Sequence, residues 1–171
     1  MKSGVFLIAL AGAAMPPAAV LANDLSFTPE ATETCLADAG DMPERLSCIG
    51  LSAQACIDTP DGYTTVGMGF CYGVEAGYWD YRLNDAFAKL MRAERALVAE
   101  MTEIGARMPD APGALRDMQR AWIGYRDALC GYEYSTWGGG TGGGPAHAAC
   151  LMQETGRQAL LLEDRLEERS R

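Results

Sequence analysis

Between Cys71 and Met108 the chain has no proline, and between Gly77 and Gly105 it has no glycine. A backbone with so few breakers takes the structure its side-chain pattern dictates. Leu83, Ala86, Leu90, Ala93 and Leu97 recur at spacings of three and four, and Met101 and Ile104 extend the row after a small slip. That is the period of one apolar helix face. Lys89, Arg92 and Arg95 fall off it. At about 1.5 Å per residue the helix spans roughly 50 Å, too long an apolar stripe to stand alone in water.

Two further stripes supply the cover. After the break "MPDAPG", Leu115, Met118, Trp122, Tyr125 and Leu129 recur at three, four, three and four. After a glycine-rich run, Met152, Thr155, Ala159, Leu162 and Leu166 do much the same. Three amphipathic helices with short breaks are expected to pack antiparallel, with the stripes, Trp122 included, forming the core. Upstream, residues 29–57 read as two short helices, the first opened by Pro29 after Thr28 and the second preceded by a break at Pro43. Residues 58–70, "DTPDGYTTVGMGF", read as an irregular connection. The tail "LEDRLEERSR" mixes charges at helical spacing, as a solvated helix end does. No strand alternation or fixed-period repeat is evident. The expected fold is all-α: an antiparallel bundle of three main helices over 58–171, plus short helices in an N-terminal extension, 23–57.

The N-terminus bears on the compartment. Lys2 precedes the apolar run "GVFLIALAGAAM", then Pro16 and Pro17, with small residues Val20 and Ala22 three and one positions before a cut at Asn23. This is the layout of a cleaved signal peptide over 1–22. A membrane span needs roughly 20 unbroken apolar residues, and the Pro-Pro pair interrupts this run. The expectation is a periplasmic or secreted protein with no stable membrane anchor after cleavage. Without Lys2, 13 basic residues face 23 acidic ones, a net charge of about −10. Such a surface repels nucleic acid, attracts a cationic protein, and keeps an exported domain soluble.

Cys35, Cys48, Cys56, Cys71, Cys130 and Cys150 all follow the expected cut. An even number in an exported chain reads as three disulfides, although spacing alone does not choose the pairs. Zinc is the poorer reading: there is no Cys-x-x-Cys pair, and His147 is the only histidine.

"CGYEYSTWGGGTGGGPAHAAC", residues 130–150, resembles a phosphate loop only in its glycines. It follows a helix instead of a strand, and it contains neither lysine nor arginine. Glycine instead lets a surface loop reverse direction. A bond between Cys130 and Cys150 would recover about 3 kcal/mol of the ordering entropy. Trp137, near the tip, reads first as a plug packed back on the helix ends. No catalytic constellation forms on paper. His147 has no serine tied to it and reads as a solvent-facing or capping side chain. Asp80, Asp85, Glu94, Glu100, Glu103, Asp117 and Asp127 sit at helix-surface spacings beside arginines, and paired cysteines leave no thiol nucleophile. Neither metal nor cofactor is implied, and the chain is not read as an enzyme.

Three pieces then align: "YWDYRLNDAFAKLM" with Leu83 and Asn84, "LRDMQRAWIGYRDALC" with Gln119, Trp122, Arg126 and Cys130, and "CLMQETGRQALLL" with Cys150, Thr155 and Arg157. The order LN … Q-x-x-W-x-x-x-R-x-x-x-C … C-x-x-x-x-T-x-R resembles the lysozyme-inhibitor LprI-like family, small exported helical bacterial proteins, over roughly 56–162. The resemblance implies one disulfide before the "LN" helix, Cys56 to Cys71, and one around the loop, Cys130 to Cys150. Cys35 and Cys48 then pair within the extension, which departs from the short family pattern.

Gln119, Trp122, Arg126 and Cys130 share one side of their helix. Arg126 is expected to act as a clamp to Asn84 or to a helix-end carbonyl, and Arg157 to act similarly. The resemblance implies a protein-binding domain whose partner is a cationic lysozyme. The rival is a structural or stress-related periplasmic protein with no lysozyme affinity. If a partner binds, the stapled loop with Tyr132, Tyr134 and Trp137 is the candidate surface.

Overall fold

The computed structural model describes residues 25–170; the export signal expected over 1–22 lies outside them. Six helices follow in order: α1 (Glu30–Asp38), α2 (Met42–Ser47), α3 (Leu51–Ile57), α4 (Thr65–Glu103), α5 (Ala111–Ser135) and α6 (Gly143–Ser170). Among the described residues there is no strand. The architecture is the expected all-α bundle of three long helices with short ones before it.

Two expectations about the first third give way. The segment 29–57 holds three helices, not two. Pro43 lies in the first turn of α2, where Asp41 and Glu44 form a reciprocal capping box. The unforeseen break is at Gly50, whose φ of 98° ends the preceding turn and starts α3. The irregular connection is shorter than 58–70. Thr64 accepts a hydrogen bond from the Gly67 N–H at 2.9 Å, so helix begins at Thr65 and takes in Gly67 and Gly69. Helix α4 thus runs 39 residues, about 58 Å. It stops where Gly105 N–H donates to Thr102 and Ala106 N–H to Met101, satisfying two end carbonyls.

The core lies mainly between α4 and α6. Its α4 row is Cys71, Glu75, Trp79, Leu83, Ala86, Leu90 and Glu94, all buried at spacings of three or four. Met152, Ala159, Leu160 and Leu162 face it from α6. Arg82 pairs with Glu163 and Glu94 with Arg169 in the same chain order, so α4 and α6 run in one direction. Helix α5 returns against them. His147 lies beside Cys130, and Gln158 donates to Gln119 at 3.0 Å, the antiparallel register.

Helix α5 is the least covered of the three. Only Pro112, Gln119 and Cys130 are buried on it. Trp122 is partly buried against the core, while Met118 and Tyr125 are 39 % and 57 % exposed. The tryptophan at the centre of the fold is Trp79, fully enclosed. Trp122 as a fully buried core residue is therefore corrected: α5 is an outer helix with neighbours on one side.

Disulfides join Cys35 to Cys48, Cys56 to Cys71 and Cys130 to Cys150, with Cα–Cα separations of 5.6, 5.8 and 5.4 Å. These lie in the ordinary disulfide range. The first closes α1 on the end of α2, the second fastens α3 to α4, and the third fastens α5 to α6.

Candidate functional site

The Cys130–Cys150 bond defines one end of the bundle. Helix α5 continues to Ser135 and α6 starts at Gly143, so the open loop is only 136–142. Gly138 and Gly139 turn it with φ of 56° and 85°, angles that L side chains resist. The loop folds on itself. The Trp137 ring lies so close to Gly142 that a Cβ there would fall 2.1 Å from it. Tyr134 meets His147 edge-on with centroids 6.4 Å apart, and His147 Nδ1 lies 2.9 Å from the Cys130 carbonyl. His147 is thus a partly buried link between α5 and α6, not a solvent-facing side chain. Trp137 is half plug and half surface: one face on the loop, 50 % exposed.

Tyr132 and Tyr134 are 65 % and 55 % exposed at the same end. A groove of about 290 Å³ lies between α5 and α6, lined by Leu129 and Glu133 from α5 and Ala146 and Glu154 from α6; none of the three aromatics lines it. A second apolar patch, not singled out in the sequence, lies on the first half of α4, where Val66 and Tyr81 are 79 % and 75 % exposed and Phe70 is 41 % exposed.

The other singled-out residues scatter by depth. Leu83, Gln119 and Thr155 are buried. Asn84 is exposed and donates to Asp80 at 2.8 Å. Arg126 does not reach Asn84. Its guanidinium lies 5.0 Å over the Trp122 ring and bonds Asp127, its chain neighbour, at 2.7 Å. Arg157 is exposed and pairs with Glu154 at 3.0 Å within α6, so it clamps no second helix.

A dense polar centre that no motif in the sequence marks surrounds Glu75. Glu75 is fully buried. Its Oε1 accepts from the Gly50 N–H at 2.7 Å, the Trp79 indole N–H at 3.0 Å and the Thr32 hydroxyl at 3.0 Å. Its Oε2 accepts from the Ala53 N–H at 2.5 Å. Ser52 N–H donates to Thr32 Oγ1 at 3.1 Å and Leu51 N–H to the Cys48 carbonyl at 3.3 Å. Every opening N–H of α3 is therefore satisfied, mostly from other helices, and a carboxylate sits where the helix dipole favours one. The available signal was its register, four residues from both Cys71 and Trp79.

A second knot joins α2, α4 and α6. Glu163 accepts from Arg45 Nη2 at 2.8 Å and from Arg82 Nε and Nη2 at 2.8 and 2.9 Å. Arg82 also stacks on Trp79 and bonds the Tyr78 hydroxyl. Burial works against its charge, but Glu163 and Tyr78 outweigh that and hold its pKa above the ordinary arginine value. Burial pushes the Tyr78 phenol up, with Arg82 opposing. Glu94, expected on a solvated face, is buried as well. Among the described residues no group of three His, Cys, Asp or Glu side chains is placed to hold a metal ion, and no helix is long and apolar enough to cross a membrane.

Residues 56–162, which take in α4, α5, most of α6 and two of the disulfides, match the family described as Lysozyme inhibitor LprI. The chain belongs to that family. It is 29 % identical over 148 residues to a protein of Rhodobacter capsulatus described as an uncharacterized 17.7 kDa protein in the puhA 5′ region, covering 86 % of this chain and 88 % of that one. It is 28 % identical over 125 residues to an uncharacterized protein of Rhizobium meliloti (strain 1021), covering 71 % and 90 %. No solved structure matches. The family match begins inside α3, at Cys56, so α1 and α2 precede it.

Proposed function

We propose that this LprI-family protein is exported to the periplasm or beyond, where it binds a cationic lysozyme and blocks it without chemistry of its own. The family match over 56–162 carries the reading. Its support includes three disulfides, which persist in oxidising compartments, and a net charge of −9. The proposed contact surface is the stapled end, with Tyr132, Tyr134 and Trp137 as anchors and Glu133 on the same helix. Charge would steer the encounter and the aromatics would hold it. Fixing the loop through Cys130–Cys150 lowers the entropy lost on binding.

The test is lysozyme turnover on cell walls, at low and high salt, with wild type and Trp137→Ala. Wild type should inhibit at micromolar concentration, about 8 kcal/mol of binding. Salt should slow association more than it speeds dissociation. Trp137→Ala should weaken inhibition with its melting temperature nearly unchanged. If wild type leaves turnover unaffected, the inhibitor reading fails and a structural or stress role without lysozyme affinity takes its place. If the variant inhibits as well as wild type, the surface is elsewhere, and the α4 patch around Val66 and Phe70 is the next to examine.

A further inference from the structure

The first half of α4 is apolar on two sides. Its inward row makes the core, and an outward row, Val66, Phe70, Val74 and Tyr81, stands exposed at helical spacing. Gly69, Gly73 and Gly77 share that outward side, four residues apart. A Cβ at any of the three would meet nothing within 4 Å, so no part of the described chain requires glycine there. Glycine weakens a helix interior, and a row of three suits a second backbone that approaches closely from outside. Charge is missing from the face as well. Between Thr65 and Trp79 the one charged residue is Glu75, which is buried. The face therefore offers a cationic protein no carboxylate and anionic lipid no lysine or arginine.

What the face does match is itself. Turned end for end, so that Val66 of one copy lies opposite Tyr81 of the other, the row sets Phe70 against Gly77 and Val74 against Gly73, large on small each time. A two-fold interface needs this reciprocity, because every contact in it occurs twice. We propose that α4 pairs antiparallel with α4 of a second copy of this chain, crossing near Gly73. The exposed side chains and the glycine backbone offer roughly 600 Å² per copy, so the pair would bury about 1,200 Å², the low end of stable interfaces. The dimer is therefore reversible. Each chain carries a net charge of −9, so the apolar contact works against a long-range repulsion that salt screens. The stapled loop contributes no residue to this contact, and the pairing does not rest on the inhibitor reading.

Sedimentation equilibrium of the mature chain, disulfides intact, over about 1–500 µM reads the pairing. Wild type should dimerise with a Kd of roughly 10–100 µM. High salt should tighten the dimer about three-fold or more, the opposite of its effect on a cationic partner. Gly77→Leu should weaken dimerisation at least about ten-fold, because the new side chain meets Phe70 of the other copy. Its melting temperature at low protein concentration should hold or rise, since the site is open and leucine suits a helix better than glycine. Gly124→Leu, at an open position on α5, is the control and should dimerise like wild type. Wild type that stays monomeric throughout overturns the proposal, as does a Gly77→Leu dimer as tight as wild type or an equal loss in Gly124→Leu. Monomeric wild type whose binding to lysozyme, or to phosphatidylcholine vesicles, is lost in Gly77→Leu would give the face to that occupant and overturn the dimer too.

Discussion

Glu75→Ala is expected to be among the most damaging single changes in this protein. The substitution removes the acceptor for three N–H groups: the backbone of Gly50 and Ala53 and the indole of Trp79. The Thr32 hydroxyl loses its acceptor too, although it can rotate. Each donor left bare in a dry site costs about 1–3 kcal/mol. The Ala53 and Trp79 bonds are buried and the Gly50 bond is part-buried, so the sum is roughly 3–6 kcal/mol before any cavity is counted. That is a large share of a domain stability of about 5–15 kcal/mol. Glu75→Gln retains one oxygen but turns an NH₂ group toward a donor, so it should lose less, about 2–3 kcal/mol. Urea unfolding with the disulfides intact measures both. Hydrogen exchange at Gly50 and Ala53 should quicken in step, locating the damage at the start of α3. A loss under about 1 kcal/mol for Glu75→Ala, the scale of one ordinary hydrogen bond, would refute the account and imply that water replaces the carboxylate freely.

Other outcomes follow from the same packing. Trp79→Ala should cost about 3–5 kcal/mol, as buried aromatic truncations do, and Trp122→Ala clearly less, because α5 has neighbours on one side only; equal losses in denaturant titration would contradict that picture. Glu163→Ala should lower the melting temperature more than Arg45→Ala, since it strands two guanidinium groups instead of removing one. Tyr78, held neutral by burial, should ionise later than an ordinary tyrosine. Its contribution to stability is complete below the unfolded tyrosine pKa and is lost as pH rises through the higher folded value. Ultraviolet titration of wild type against Tyr78→Phe should show the most alkaline phenol step vanish in the variant.

The long-range plan of the molecule was open to reading because it rests on periodicity. Three stripes imply three long helices and a shared core, and Leu83, Ala86 and Leu90 do lie in it. What the period does not carry is how many sides of a helix are covered. Met118 and Tyr125 belong to the α5 stripe yet meet solvent, because α4 and α6 already bury their best faces against each other. Short helices were harder for a local reason. The Gly50 turn is held by Glu75 from a distant helix, and no neighbouring residue announces it. The disulfide partners came with the family resemblance; the spacing of the cysteines was silent on them. At the stapled end, the sequence offered the aromatics but not their depth, which depends on how seven loop residues fold over Gly142.

Two glutamates of α4 are buried: Glu94, expected on the solvated face, and Glu75, which no motif in the sequence marks. They lie on the inward row in opposite halves of the helix, and their surroundings differ. At Glu75 both oxygens are taken, by donors from α1, α3 and α4 together. Removing the carboxylate there unties the N-terminal helices, so its role is accounted for by the fold. At Glu94 one oxygen is taken by Arg169, near the end of the last helix, and the other is enclosed without a partner in the protein. A half-satisfied polar group costs more than an apolar replacement, so Glu94 stabilises the fold less than Glu75 does. Glu94 secures only the end of α6 to α4, whereas Glu75 holds α1, α3 and α4 together, so much more of the fold depends on the first acid than on the second.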